Sequence, residues 1–129
     1  MRSDALLIVE DDVLIAGSLA EVLELEGYVV VVAHSGCAAV AALQAAEYEI
    51  ACLITDIRCG AGPNGWELAA LARSMSPTLP IMYITGDSAG EYDRNAVPAS
   101  VMLQKPFSLA RFMRALSALL NETDAARAA

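Results

Sequence analysis

Two uninterrupted apolar runs, Ala5-Leu6-Leu7-Ile8-Val9 and Ala51-Cys52-Leu53-Ile54, lead to carboxylates, the first directly and the second across Thr55, and this pairing narrows the available folds more than any other feature. A short apolar run bounded by turn residues reads as a strand buried on both faces, as in the middle of a parallel sheet. In an open parallel sheet, ligands bind beyond the carboxyl ends of the strands. An unpaired carboxylate is costly to bury. Asp56, which follows Thr55 at the end of the second run, is therefore either a turn or capping residue or part of a site, and its neighbours decide which.

Helical patterns separate the strands. From 12 to about 26, Ile15, Leu19, Val22 and Leu23 form an apolar stripe with Ser18, Glu21 and Glu24 opposite, and Gly27 stops the helix. A Val-rich strand covers 28–33. Ser35 caps an Ala-rich helix over 36–46, and the strand ending at Asp56 follows. A glycine-rich loop precedes a helix from Trp66 to Met75, where Trp66 serves as an anchor. Pro80-Ile81-Met82-Tyr83-Ile84-Thr85 is a further buried strand. The next segment supports only a short helix, with Gly90 inside it and Pro98 beyond. Val101-Met102-Leu103 is a brief last strand, and Ser108 caps a helix carrying Leu109, Phe112, Met113, Leu116, Leu119 and Leu120. Alternating strands and helices predict an α/β fold, an open five-stranded parallel sheet with helices on both faces. We expect one domain over 1–129, with its core at about 4–121 and a short C-terminal tail at 122–129.

A hydrophobic content of 57% fits a packed globule. The net charge of −8 leaves no basic patch for phosphates, arguing against nucleic-acid and anionic-membrane partners. Cys37, Cys52 and Cys59 lack metal-type spacing and suit a reducing compartment. No leader pattern opens the sequence and no apolar run approaches ~18 residues, so a cytoplasmic location is expected.

Parallel strands bring their closing residues to one edge: Glu10 and Asp11, then Asp56, Thr85 and Lys105. Three carboxylates within ~4 Å would repel by several kcal/mol at an effective dielectric of ~20. A divalent cation relieves this, and oxygen-only ligands favour Mg²⁺, Mn²⁺ or Ca²⁺ over Zn²⁺. Lys105 and Thr85 suit an anionic group arriving on Asp56, which describes phosphoryl transfer to a carboxylate.

The motifs Ile8-Val9-Glu10-Asp11-Asp12, Leu53-Ile54-Thr55-Asp56, Tyr83-Ile84-Thr85-Gly86 and Lys105-Pro106-Phe107 occur in order, each closing an expected strand. Together they make the chain resemble a response-regulator receiver domain of two-component signalling, of the stand-alone type. The resemblance implies a flavodoxin-like fold and phosphorylation on Asp56. It makes Asp11 a direct Mg²⁺ ligand (Mn²⁺ being possible), with Glu10 acting through water and the Arg58 carbonyl as a further ligand. Thr85 and Lys105 would bind the phosphoryl oxygens, and the Lys105-Pro106 bond would be cis. Asp12 is read as the N-cap of the first helix, with a third-ligand role as the alternative.

The implied partners are a histidine kinase or histidine phosphotransfer protein and a downstream protein target, the latter on the face of the fourth and fifth helices and fifth strand. By this reading the chain is a phosphoacceptor and not a turnover enzyme. Two alternatives are a pseudo-receiver binding module and an Asp-nucleophile phosphatase. The phosphatase needs a second carboxylate two residues after Asp56, where Arg58 stands. The chain departs from the family pattern in its Gly-rich loop 58–63, its weak helix before Pro98, and Met102 in place of the usual aromatic. Tyr83 is then either a substitute switch residue or a core aromatic. Arg58 is a candidate to pair with Asp87 across the site mouth, the alternative being a surface charge of no consequence, and His34 is an ordinary surface residue.

Overall fold

The computed structural model describes residues 3–45, 47–87 and 89–128. Along them run β1 (Ser3–Val9), α1 (Val13–Leu25), β2 (Val30–Ala33), α2 (Gly36–Gln44), β3 (Tyr48–Asp56), α3 (Gly65–Met75), β4 (Ile81–Thr85), α4 (Tyr92–Asn95), β5 (Val101–Gln104) and α5 (Leu109–Ala128), with a 3-10 turn at Ala89–Glu91. All strand pairs are parallel and the five strands lie in the order β2-β1-β3-β4-β5. The expected open α/β sandwich is the fold observed.

The period-2 alternation of strand side chains divides the core into two layers. Leu7, Val9, Leu53, Ile81 and Tyr83 face α2 and α3 on one side. Leu6, Ile8, Cys52, Ile54, Met82 and Ile84 face α1 and α5 on the other, against Leu19, Leu23, Phe112 and Leu116. The three central strands are covered on both faces, which explains their unbroken apolar runs. The edge strands β2 and β5 are only four residues each. Short edges leave little backbone for stray pairing.

Two boundaries differ from the sequence expectation. β3 starts at Tyr48, because Ser3, Asp4 and Ala5 of β1 pair with Tyr48, Glu49 and Ile50. Residues 122–128, expected as a tail, continue α5. Ala125 and Ala126 are strong helix formers. Arg127 also anchors this extension, donating from Nε to Thr78 Oγ1 at 3.1 Å and from Nη2 to Thr78 O at 3.3 Å. The short α4 is as expected. No described helix is long and apolar enough to cross a membrane.

In this arrangement the order in which strands are added across the sheet reverses between β1 and β3, and such a switch point opens a crevice at the carboxyl ends. The acids at 10 and 11 follow β1, and Asp56 ends β3. The topology therefore delivers the candidate residues to one place.

Candidate functional site

Glu10, Asp11 and Asp56 each offer a carboxylate oxygen, and these oxygens lie within 4.8 Å of one another. Glu10 is 1% exposed and Asp56 9%, whereas Asp11 faces solvent. Asp12 turns away, accepting from the amides of Leu14 at 3.0 Å and Ile15 at 3.1 Å as the N-cap of α1. That geometry settles its role in favour of capping. Lys105 Nζ donates to Asp56 Oδ2 at 2.9 Å and lies 3.0 Å from Glu10 Oε2. The second contact is an ion pair without hydrogen-bond alignment, so buried Oε2 has charge neutralisation but no directional donor. Glu10 Oε1 accepts from the Asp12 amide at 3.1 Å.

Burial pushes Glu10 above the usual carboxylate range, and the charge of Asp56 adds to this, while Lys105 and the Asp12 amide oppose it. Burial alone would lower Lys105, but its hydrogen bond to Asp56 and the charges of Asp56 and Glu10 outweigh that, and the net shift is upward. The ammonium thus stays charged between two acids.

Backbone pairing brings Lys105 and Thr85 to the site. The Lys105 amide donates to Thr85 O at 2.8 Å, just past the Thr85–Gln104 register pair, and the Lys105-Pro106 peptide is cis as expected. Thr85 is buried at the tip of β4, one residue beyond Ile84, the register partner of Asp56.

Asp56 leads into the glycine-rich loop. The Arg58 amide lies 3.4 Å from Asp56 Oδ1, and the loop then folds against the start of α2. There the amides of Gly36 and Cys37 donate to Cys59 O at 3.1 Å and Ala61 O at 3.0 Å. A Cβ on Gly36 would lie 2.1 Å from Pro63 O, and Gly62 holds φ +98°, so this seam requires glycine on both sides. Asn64 and Glu67 form a capping box that starts α3. The pattern Asn-x-x-Glu was its available sequence signal. The Arg58 side chain, for which Asp87 was the candidate partner, pairs with Glu91 at 3.1 Å. His34 is exposed, as expected, yet its Nδ1 lies 3.0 Å from Glu10 O, a contact the sequence reading missed.

Tyr83 is fully buried on β4 between Trp66 (ring centroids 4.6 Å apart) and Tyr92 (6.1 Å). Its hydroxyl accepts from the Val97 amide at 3.1 Å, and Tyr92 Oη donates to Ser100 O at 2.6 Å. Tyr83 is therefore a core aromatic that also holds the segment beyond Thr85.

The cluster fits a hard divalent cation: every side-chain ligand is oxygen, the acids are close enough to repel, and Glu10 Oε2 is buried without a directional donor. Residues 6–117 match the response regulator receiver domain family. The chain belongs to that family. This receiver domain is 33% identical over 117 residues to the response regulator receiver protein CpdR of Brucella abortus, covering 89% of this chain and 95% of CpdR. It is 30% identical to the probable transcriptional regulatory protein SilR of Salmonella typhimurium, of which it spans about half, 50%, with 90% of this chain covered. A response regulator receiver protein from Sinorhizobium medicae has a similar structure, with TM-score 0.87 and 35% identity over 94% of this chain and 97% of that one. The chemotaxis regulator CheY4 of Vibrio cholerae superposes with TM-score 0.77 at 26% identity, over 92% of this receiver and 99% of CheY4.

Proposed function

We propose that this receiver takes a phosphoryl group on Asp56 from a phosphohistidine-bearing kinase or phosphotransfer protein and signals through altered protein contacts in the cytoplasm. One observation carries the proposal: a single ammonium bridges Asp56 and Glu10 at 2.9 and 3.0 Å, inside a three-carboxylate cluster. In the transfer, a carboxylate oxygen of Asp56 attacks phosphorus and the phosphorus–nitrogen bond of the donor breaks. Lys105 Nζ and the Thr85 hydroxyl hold the phosphoryl oxygens as charge develops. Glu10, Asp11, Asp56 and the Arg58 carbonyl would hold Mg²⁺ (Mn²⁺ being the alternative), which supplies neutralisation of the crowded negative charge. Hydrolysis of the acyl phosphate returns the resting state, so the chain is a phosphoacceptor and not a catalyst acting on a separate substrate.

The donor must reach Asp56 past the rim of the site. An open groove of about 370 Å³ lies there between α1 and the start of α5, lined by Leu14, Ile15, Leu19, Lys105, Phe107 and Leu109. Leu14 is 83% exposed, and no Lys or Arg occurs between Arg2 and Arg58, so a donor face with an apolar centre and basic rim suits it. For output, phosphorylation draws Thr85 inward and shifts the Tyr83–Val97 tether, altering the face made by α4, β5 and α5.

Incubation with acetyl phosphate and Mg²⁺, read by intact mass, tests the reading. One phosphoryl mass added to wild type and none to Asp56→Asn is expected. No adduct on wild type overturns it in favour of a pseudo-receiver.

A further inference from the structure

The three carboxylates hang from two separate loops, 10–12 and 56–64, and a third corner of the chain touches both. That corner is 34–37, between β2 and α2. It holds the second loop through the bonds from Gly36 and Cys37 to Cys59 O and Ala61 O. It holds the first through His34, whose Nδ1 lies 3.0 Å from Glu10 O. A carbonyl only accepts, so a hydrogen bond at this contact requires a ring proton on Nδ1.

Glu10 O and the Asp11 amide belong to one rigid peptide plane. The bond from His34 therefore fixes the plane from which the solvent-facing Asp11 side chain departs. The Glu10 amide is held on its other side by Ala33 O at 3.0 Å. Glu10 and Asp11 thus receive their aim from the end of β2 and the residue after it.

We propose that His34 is a positioning residue for the cation pocket, bracing the Glu10–Asp11 peptide so that both carboxylates face Asp56. The proposal rests on the reading of this pocket as a Mg²⁺ site. His34 touches neither the cation nor the phosphoryl group. It acts as an outer partner that orients ligands, a class of contact whose loss weakens metal binding. Its work is done by Nδ1 alone, which distinguishes it from a ring that merely fills space.

The test compares His34→Ala, His34→Asn and His34→Gln. Asn places an N–H where Nδ1 stands, whereas Gln extends its amide toward the Nε2 position. Mg²⁺ affinity is read by calorimetry on unphosphorylated protein, and unfolding midpoints are measured in EDTA. Loss of one such bond weakens Mg²⁺ binding about three- to tenfold in the Ala and Gln variants. Asn keeps the affinity within about twofold, and midpoints in EDTA fall by no more than about 5 °C, the cost of one hydrogen bond. Long-range proton–nitrogen spectra of metal-free wild type show the neutral ring protonated on Nδ1.

If wild type binds Mg²⁺ and His34→Ala binds it equally well, or if the ring is protonated on Nε2, the brace is overturned while the pocket reading stands. If wild type binds no Mg²⁺, both fall.

Discussion

Replacing Lys105 by Met removes the ammonium but keeps most of the apolar stem, so the change isolates the charge. In wild type that charge sits 2.9 Å from Asp56 Oδ2 and 3.0 Å from Glu10 Oε2. Without it, carboxylates whose oxygens lie within 4.8 Å of one another face each other directly. At an effective dielectric of ~20, two charges at that spacing repel by about 3.5 kcal/mol. The Lys105 side chain is 26% exposed, so solvent already screens part of this interaction. Breaking a fully buried pair costs about 3–5 kcal/mol, which sets the ceiling. We expect Lys105→Met to lose about 2 kcal/mol in EDTA, a fall in unfolding midpoint of about 6–10 °C for a domain of this size. Saturating Mg²⁺ should then restore more stability to the variant than it adds to wild type, because the cation takes over the neutralisation. Thermal unfolding followed by circular dichroism, with and without Mg²⁺, measures both. A variant as stable as wild type in EDTA would refute the electrostatic reading, as would equal Mg²⁺ stabilisation of the two proteins.

The thiols and Tyr83 give two further predictions. Burial pushes Cys52 up to about 12 and Cys59, with added charge from Asp56, Asp11 and Glu10, up to about 11, whereas Cys37 is exposed. Ellman's reagent at pH 8 should therefore modify one thiol in the native protein and three after denaturation; rapid modification of Cys59 would contradict the packing of loop 57–64. Burial also raises Tyr83 above the ordinary phenol value of 10.0. Its stabilising contribution is complete below that value and is lost as pH rises through the higher folded value. Tyr83→Phe should lower stability by about 1 kcal/mol at neutral pH through the orphaned Val97 amide, and should make the decline above pH 10 shallower. Denaturant titrations at two pH values decide it, and an unchanged alkaline slope sinks the assignment.

The strands and the site acids were legible because burial on both faces forces unbroken apolar runs, and because parallel strands end on one edge. Local hydrogen-bond signals were equally readable: Asp12, Ser35 and Ser108 cap helices where their side chains can meet free amides. The contacts that escaped the sequence reading depend on which strands are neighbours. His34 meets Glu10 only because β2 pairs with β1, in a register that sets Ala33 opposite Val9. Arg58 chose Glu91 over Asp87 because the short turn and α4 carry Glu91 to the mouth of the site. The helix through 128 was missed because its final turn is stabilised by Arg127 on Thr78, a contact across 49 residues.

Lys105 belongs to two surroundings at once: its ammonium sits among the acids and its stem lines the apolar groove beside α1. Any body seated in that groove strips water from the stem and sharpens the field that the cation exerts on Asp56. Thermodynamic reciprocity then requires that charge added at Asp56 alter the grip of the groove by the same factor. One flexible side chain thereby makes the occupancy of a greasy trough and the chemical state of a carboxylate two readings of a single equilibrium.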